Sequence, residues 1–215
     1  MKKQTSANTS SFFDRVGSQG WHKSAYFTYS WKFPVMRRWL AAQLPAGRRM
    51  VLSVGCGSGE LERDLSRAGY TVVGIDISHV MLRAAARRGL KLLVEADARR
   101  LPFVTGSFDA VLFPESIGYF ELKDVMPEAH RVMKKQGRLL ITAYPPDFES
   151  DSIYKTRSLA EIGRQLETCG LRVADQRSLT VKRNAVIEVD SEKESELLYV
   201  MARKEQKRLA ANLRE

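Results

Sequence analysis

The 215-residue sequence predicts an α/β protein built on a doubly wound, mostly parallel sheet. Three observations carry this expectation. Met50 to Val54 is a short apolar run, the pattern of a strand buried on both faces, and Gly55, Cys56, Gly57, Ser58 and Gly59 follow it at once. Strand-like runs and helical patterns then alternate along the chain, as crossover units do in a parallel sheet. Asp76, Asp97 and Pro114 fall directly behind three of those runs, at the carboxyl ends of strands, where open α/β sheets bind their ligands.

Each element has its own signal. Residues 1–11 are polar and are expected to be disordered. Residues 12–33 gather Phe12, Phe13, Trp21, Tyr26, Phe27, Tyr29, Trp31 and Phe33 around Gly17 and Gly20. So many aromatics in one segment read either as a lid that shapes a pocket or as padding outside the sheet. Pro34 suits the first turn of a helix, Val35, Trp39, Leu40 and Leu44 repeat at helical spacing, and Pro45 with Gly47 stops it. After the glycine loop a helix is expected from Ser58 to Ala68, with Leu61 and Leu65 inward and Gly69 as its stop. Thr71 to Asp76 is the second strand. Ser78 is the N-cap of a helix to Arg88, ended by Gly89. Leu90 to Ala96 and Phe108 to Phe113 are the third and fourth strands. Leu122 to Met133 is a helix, and Arg138 to Ala143 is the fifth strand, closed by Pro145 and Pro146. Leu159 to Cys169 is a helix before Gly170. Leu171 to Val181, Ala185 to Val189 and Leu197 to Ala202 read as three further strands, the last two joined by the charged stretch 190–196.

The loop spacing selects the ligand. A dinucleotide loop needs G-x-G-x-x-G beneath a phosphate, and its third glycine would fall at position 60, which is Glu60. A P-loop needs Gly-Lys-Ser/Thr, and none follows. G-x-G-x-G with an acid behind it suits a ligand that carries positive charge and no phosphate, and S-adenosylmethionine is such a ligand.

Here the chain resembles a known family. Val54-Gly55-Cys56-Gly57-Ser58-Gly59 resembles the first motif of the class I S-adenosylmethionine-dependent methyltransferases, and Gly74-Ile75-Asp76-Ile77-Ser78 the second. Asp97 to Phe103 and Ser107 to Val111 resemble the third and fourth, in the form of the small-molecule, type 11-like members. The resemblance implies a Rossmann-like sheet with an antiparallel last strand, for which residues 196–203 are the choice. It implies a methyltransferase domain over 34–204, preceded by the aromatic segment or lid over 1–33 and followed by a charged helical tail over 205–215. S-adenosyl-L-methionine is the implied cofactor and S-adenosyl-L-homocysteine the product. Its implied contacts are Gly55, Cys56, Gly57 and Gly59 on the methionine part, Asp76 and Ile77 at the ribose, Asp97 and Ala98 at the adenine, and Pro114 beside them. Asp109 is implied to be structural. Lys134-Lys135-Gln136-Gly137 departs from the family's Lys-Pro-Gly-Gly turn.

The acceptor is less legible. Residues 113–120 often face it in the family, and they lack the Asn/Asp-Pro-Pro-Tyr/Phe motif of enzymes that methylate amino groups on DNA. Glu115, Tyr119, Trp21 and Tyr26 are the candidate substrate contacts. His22 and Tyr119 are the candidate catalytic groups, though a lone histidine is more often structural. The net charge of +10 fits a solvated surface, an anionic small substrate or nucleic acid, and the scatter of the basic residues favours the first. No run is long enough for a membrane span, no secretory signal is expected, and Cys56 and Cys169 fit a reducing cytoplasm without a disulfide or metal site. The reading is a cytoplasmic methyltransferase with a small-molecule acceptor. An RNA or protein methyltransferase, or a non-catalytic cofactor-binding regulator, is the alternative, and the oligomeric state stays open.

Overall fold

The structure, a computed structural model, describes residues 6–19, 33–47, 49–148 and 153–204. Eight strands form one sheet in the order β3-β2-β1-β4-β5-β8-β6-β7. They are β1 (Met50–Val54), β2 (Thr71–Asp76), β3 (Leu93–Glu95), β4 (Phe108–Pro114), β5 (Met133–Ala143), β6 (Leu171–Lys182), β7 (Ala185–Val189) and β8 (Leu197–Lys204). The helices are α1 (Ser6–Gln19), α2 (Phe33–Ala42), α3 (Glu60–Arg67), α4 (His79–Arg87), α5 (Leu122–Val132) and α6 (Leu159–Thr168).

Strands β1 to β5 are parallel, and both faces of the centre are covered. On one face Leu52, Val54, Val111, Phe113, Leu139 and Ile141 are buried with Val125, Met126 and Ala129 of α5 and Ile162 and Leu166 of α6. On the other, Val51, Ala110, Leu112 and Leu140 are buried with Leu40 of α2 and Leu61 and Leu65 of α3. Each such side chain contributes about 1.5–3 kcal/mol by leaving water. This two-sided burial is why the strands read as continuous apolar runs.

Register sets the site. Val54 pairs with Ile75, and Ser53 with Leu112, so Gly55 leaves β1 level with Asp76 and with Pro114. The order reverses between β1 and β4, and the glycine loop emerges at that switch point.

Several elements differ from the sequence expectation. Residues 6–11 are not disordered but form the first half of α1. Packing against the fold, more than local propensity, holds this polar stretch: Thr9 is buried, Ser10 Oγ donates to the Ile77 carbonyl, and a Cβ on Gly17 would stand 2.9 Å from Val80 of α4. Strand β3 is shorter than 90–96 because Leu90 still belongs to the end of α4, where its N–H donates to the Ala85 carbonyl. Strand β5 starts at Met133, directly off α5, and residues 134–137 bulge where β4 has a single residue, Asp109, between paired positions. The last strand is antiparallel, as expected, and slots between β5 and β6. A second antiparallel strand, β7, extends the edge through a two-residue turn whose Arg183 and Asn184 both have positive φ. The tail 205–215 lies outside the described residues.

Candidate active site

The glycine loop stays pinned to β2 as it leaves the sheet. The N–H groups of Gly55 and Cys56 both donate to the Ile75 carbonyl at 2.9 Å, and Gly59 N–H closes the turn on the Cys56 carbonyl at 3.0 Å. Gly55, Gly57 and Gly59 have φ of 73°, 54° and 77°, a region that disfavours side chains. The three differ in their surroundings. A Cβ on Gly55 would fall 2.6 Å from Ser116 Cβ, and one on Gly59 2.3 Å from Leu90 Cδ1, whereas one on Gly57 would meet nothing within 4 Å. Gly57 therefore turns an open backbone outward while its N–H donates to Asp76 Oδ2 at 2.8 Å.

Asp76 ends β2 and is buried. Its second oxygen accepts the Ser78 N–H at 2.9 Å, and burial raises its pKa against the pull of these N–H groups. Ser78 is the N-cap of α4: its Oγ accepts the Met81 N–H and donates to Asp14 of α1 at 2.6 Å. Asp97 stands behind β3, and the Arg99 guanidinium clasps its carboxylate, with Nη2 2.7 Å from Oδ2. Ala98 beside it is buried. At the start of α3, Arg37 of α2 bridges Glu60 at 3.2 Å and Asp64 at 2.9 Å. Glu62 is a residue that sequence reasoning missed. Its carboxyl is fully enclosed, accepts the Ser53 hydroxyl at 2.6 Å, and is pushed up to about 7 by burial. Its position three residues before the inward Leu65, with a serine inside the β1 run, was the available signal.

A second group of residues gathers behind β4. Glu115 has φ of 55°, rare for a residue with a side chain, and its N–H is fixed by the Thr142 hydroxyl and carbonyl, each at 3.0 Å. Tyr144 donates its hydroxyl to Glu115 Oε2 at 2.7 Å. Tyr119 packs edge-on against Phe13 at 4.8 Å and against Tyr154 at 4.9 Å, and Tyr144 stacks on Phe148 at 4.0 Å. Beneath this wall Arg157, 2% exposed, donates to the carbonyls of Ile117 and Phe120 and so holds the turn that carries Tyr119. Tyr144, Tyr154 and Arg157 were not singled out in the sequence, because nothing local links them to residue 115.

These parts enclose one cavity of about 230 Å³. It is lined by Gly55, Cys56, Gly57, Gly59, Asp76, Ile77, Asp97, Ala98 and Pro114, together with Glu115 and Tyr119, so every candidate among the described residues converges there. Trp21, His22 and Tyr26 lie outside the described residues. Thr9 and Phe13 bring α1 to the same cavity. Its acidic lining residues are Glu60, Glu62, Asp76, Asp97, Glu115, Glu121 and Asp124; its only basic ones among the described residues are Arg37 and Arg99. Asp109 lies at the opposite end of the strands, where it accepts the Met50 N–H at 3.0 Å and Lys134 Nζ at 2.9 Å. His79 meets Glu95 on the exposed surface. Both cysteines are free, and among the described residues no cluster of ligands is placed to hold a metal ion.

Residues 52–141 match the family described as "Methyltransferase domain". That stretch, which holds the glycine loop and Asp76, is similar to a methyltransferase domain. The chain is 35% identical over 118 residues to the demethylmenaquinone methyltransferase of Thermus thermophilus, covering 51% of this chain and 54% of that one. It is 36% identical over 106 residues to the malonyl-[acyl-carrier protein] O-methyltransferase of Legionella pneumophila, covering 46% and 37%. The chain thus spans about half, or less, of the length of the curated relatives it matches. Among solved structures, a Thermotoga maritima S-adenosylmethionine-dependent methyltransferase, described as a possible histamine N-methyltransferase, superposes with a TM-score of 0.73 at 18% identity, over 90% of this chain and 98% of that one. Magnesium protoporphyrin IX methyltransferase of Synechocystis PCC 6803 does so with a TM-score of 0.67 at 18% identity, over 94% and 97%. At such identities the likeness establishes the methyltransferase fold alone. No helix among the described residues is long and apolar enough to cross a membrane.

Proposed function

We propose that this protein moves a methyl group from S-adenosylmethionine to a small-molecule acceptor in a reducing cytoplasm. The observation that carries the reading is the cavity at the carboxyl ends of β1, β2 and β4, where the glycine loop meets Asp76 and a lining rich in carboxylates. The residues fit the cofactor. Glu60 occupies the first turn of α3, where a dinucleotide fold holds a phosphate; a carboxylate there repels phosphate and favours the sulfonium and ammonium of S-adenosylmethionine. Gly57 leaves backbone open toward a ligand. The Asp76 oxygens accept backbone N–H groups, Gly57 on one and Ser78 on the other, and retain acceptor capacity for ribose hydroxyls. Asp97, beside Arg99, and Ala98 are assigned to the adenine; Cys56, Ile77 and Pro114 form the walls.

When bound, the cofactor supplies an electrophilic methyl group on sulfur. The chain binds, orients and excludes water, and orientation alone can supply ~7–11 kcal/mol of the barrier. Helix α1, through Thr9 and Phe13, serves as a cover on one side, and the aromatic wall behind β4 faces the acceptor.

Calorimetric titration with S-adenosylmethionine tests the cofactor half of this reading. The wild type binds in the micromolar range, and Asp76→Ala weakens binding roughly tenfold or more, the size of a charge-assisted hydrogen bond. Circular dichroism checks that the variant is folded. A wild type that binds no cofactor, with or without cell extract, removes the reading. Labelled methyl transfer into extract tests the acceptor half: label enters dialysable material, and label on RNA or protein replaces the acceptor class.

A further inference from the structure

We propose that the acceptor is a protonated amine, held at the aromatic-walled end of the cavity by the Glu115 carboxylate. This rests on the methyltransferase reading and names its acceptor class. The chain carries a net charge of +10, yet its cavity is lined by seven carboxylates and two guanidiniums. Both guanidiniums are already committed, Arg37 to Glu60 and Asp64 and Arg99 to Asp97. The overall positive charge therefore does not reach the ligand, and an anionic substrate finds no uncommitted cation among the described lining residues.

The cofactor's own two cations do not account for all of this negative charge. Asp76, Asp97, Glu60 and Glu62 lie along the glycine loop and the ends of β2 and β3. Glu115, Glu121 and Asp124 lie behind β4, next to the glycine loop. Glu121 meets Lys155 at 3.4 Å and Arg157 at 3.6 Å. Glu115 makes no ion pair among the described residues, and the hydrogen bond its side chain accepts from them is that of the Tyr144 hydroxyl, on Oε2. Burial lifts its pKa, while the Tyr144 hydroxyl and the charge of Arg37 draw it back.

Cation recognition also wants aromatic faces and edges around the charge, and Phe13, Tyr119 and Tyr144 line the same end of the cavity. The Tyr144 hydroxyl holds this carboxylate against that wall, on a left-handed backbone, and strain of that kind is retained where the surroundings enforce it. The same carboxylate serves the chemistry. An ammonium has no lone pair to offer until it gives a proton to Glu115. The freed nitrogen pair then forms the N–C bond as the C–S bond breaks, and that bonding pair stays on sulfur. The products are a methylated ammonium, the neutral thioether S-adenosylhomocysteine and protonated Glu115, which returns its proton to water.

The test is calorimetry on the protein saturated with S-adenosylhomocysteine, using three probes of one shape: 2-phenylethylamine, 2-phenylethanol and phenylacetate. The amine binds roughly tenfold or more tightly than the alcohol, and phenylacetate binds weakest of the three. Glu115→Gln reduces the amine to the alcohol's affinity, and melting temperature with and without S-adenosylhomocysteine verifies that the variant is folded. Equal binding of the three probes, preference for phenylacetate, binding of none, or a folded Glu115→Gln that keeps the amine preference overturns the inference. Each of these leaves the methyltransferase reading standing, because S-adenosylhomocysteine has bound. Failure of the wild type to bind S-adenosylhomocysteine overturns both.

Discussion

At the scale of single residues, the site is governed by carboxyl groups whose neighbours differ. Asp76 is held by backbone N–H groups, Asp97 by a guanidinium, and Glu115 by a phenol. Glu62 is the extreme case, enclosed with one serine hydroxyl. Its carboxyl stays protonated to about 7 in the folded chain against 4.5 for an ordinary glutamate. Between those values the folded state binds more protons than the unfolded state, so this group's contribution to stability falls as pH rises and is level above about 7. The shift corresponds to roughly 3 kcal/mol. Glu62→Gln keeps an acceptor for Ser53 and loses the titration. Urea unfolding at pH 5 and pH 7.5 then finds the variant gaining on the wild type by about 2 kcal/mol at the higher pH, the part of that shift that falls between the two. An unchanged difference refutes the assignment.

At the scale of elements, the turn behind β4 depends on a residue far away in sequence. A Cβ on Gly118 would lie 2.3–2.5 Å from the Tyr154 ring. The Tyr154 hydroxyl in turn accepts the Tyr144 N–H. Gly118→Ala must displace that ring, at a cost of about 1–3 kcal/mol, the usual penalty of overpacking. Steady-state kinetics then shows kcat/KM for the acceptor falling roughly tenfold while S-adenosylhomocysteine affinity changes little. A loss confined to cofactor affinity contradicts this division of labour. These dependencies explain what the sequence revealed. Strands β1, β2 and β4 were legible because both faces are buried, and Ser78 was legible because its cap is a local motif. The Glu115–Tyr144 and Gly118–Tyr154 contacts join residues about thirty positions apart, and no periodicity encodes them. Helix α1 was missed for a related reason: tertiary contacts such as Ser10 with the Ile77 carbonyl and Gly17 with Val80 hold it.

At the scale of the whole molecule, α1 joins the glycine-loop end of the cavity to the end walled by Tyr119. Asp14 ties it to Ser78, next to Asp76, and Phe13 packs on Tyr119. Binding at either end should steady this helix. Hydrogen exchange at the amides of residues 10–16 slows when S-adenosylhomocysteine binds, and Asp14→Ala reduces both the protection and the affinity. Unchanged exchange removes α1 from the site. The molecule also separates its charges, with an excess of basic residues overall and carboxylates around the cavity. The composition disclosed the first but could not disclose the second, because net charge carries no information about where the acids converge.

The position of β8 has a consequence for how the protein is made. It is the last strand among the described residues, yet it lies inside the sheet, paired with β5 on one side and β6 on the other. Until a ribosome has delivered residues 197–204, β5 and β6 each present an open row of backbone donors and acceptors, including the stretch from Leu139 to Ala143 beside the cavity. A nascent chain can assemble β1 to β5 early, but it carries a sticky, unfinished edge until residues 197–204 are delivered. Ribosome stalling before residue 197, or premature termination there, leaves a fragment that holds the glycine loop and Asp76 and aggregates through that edge.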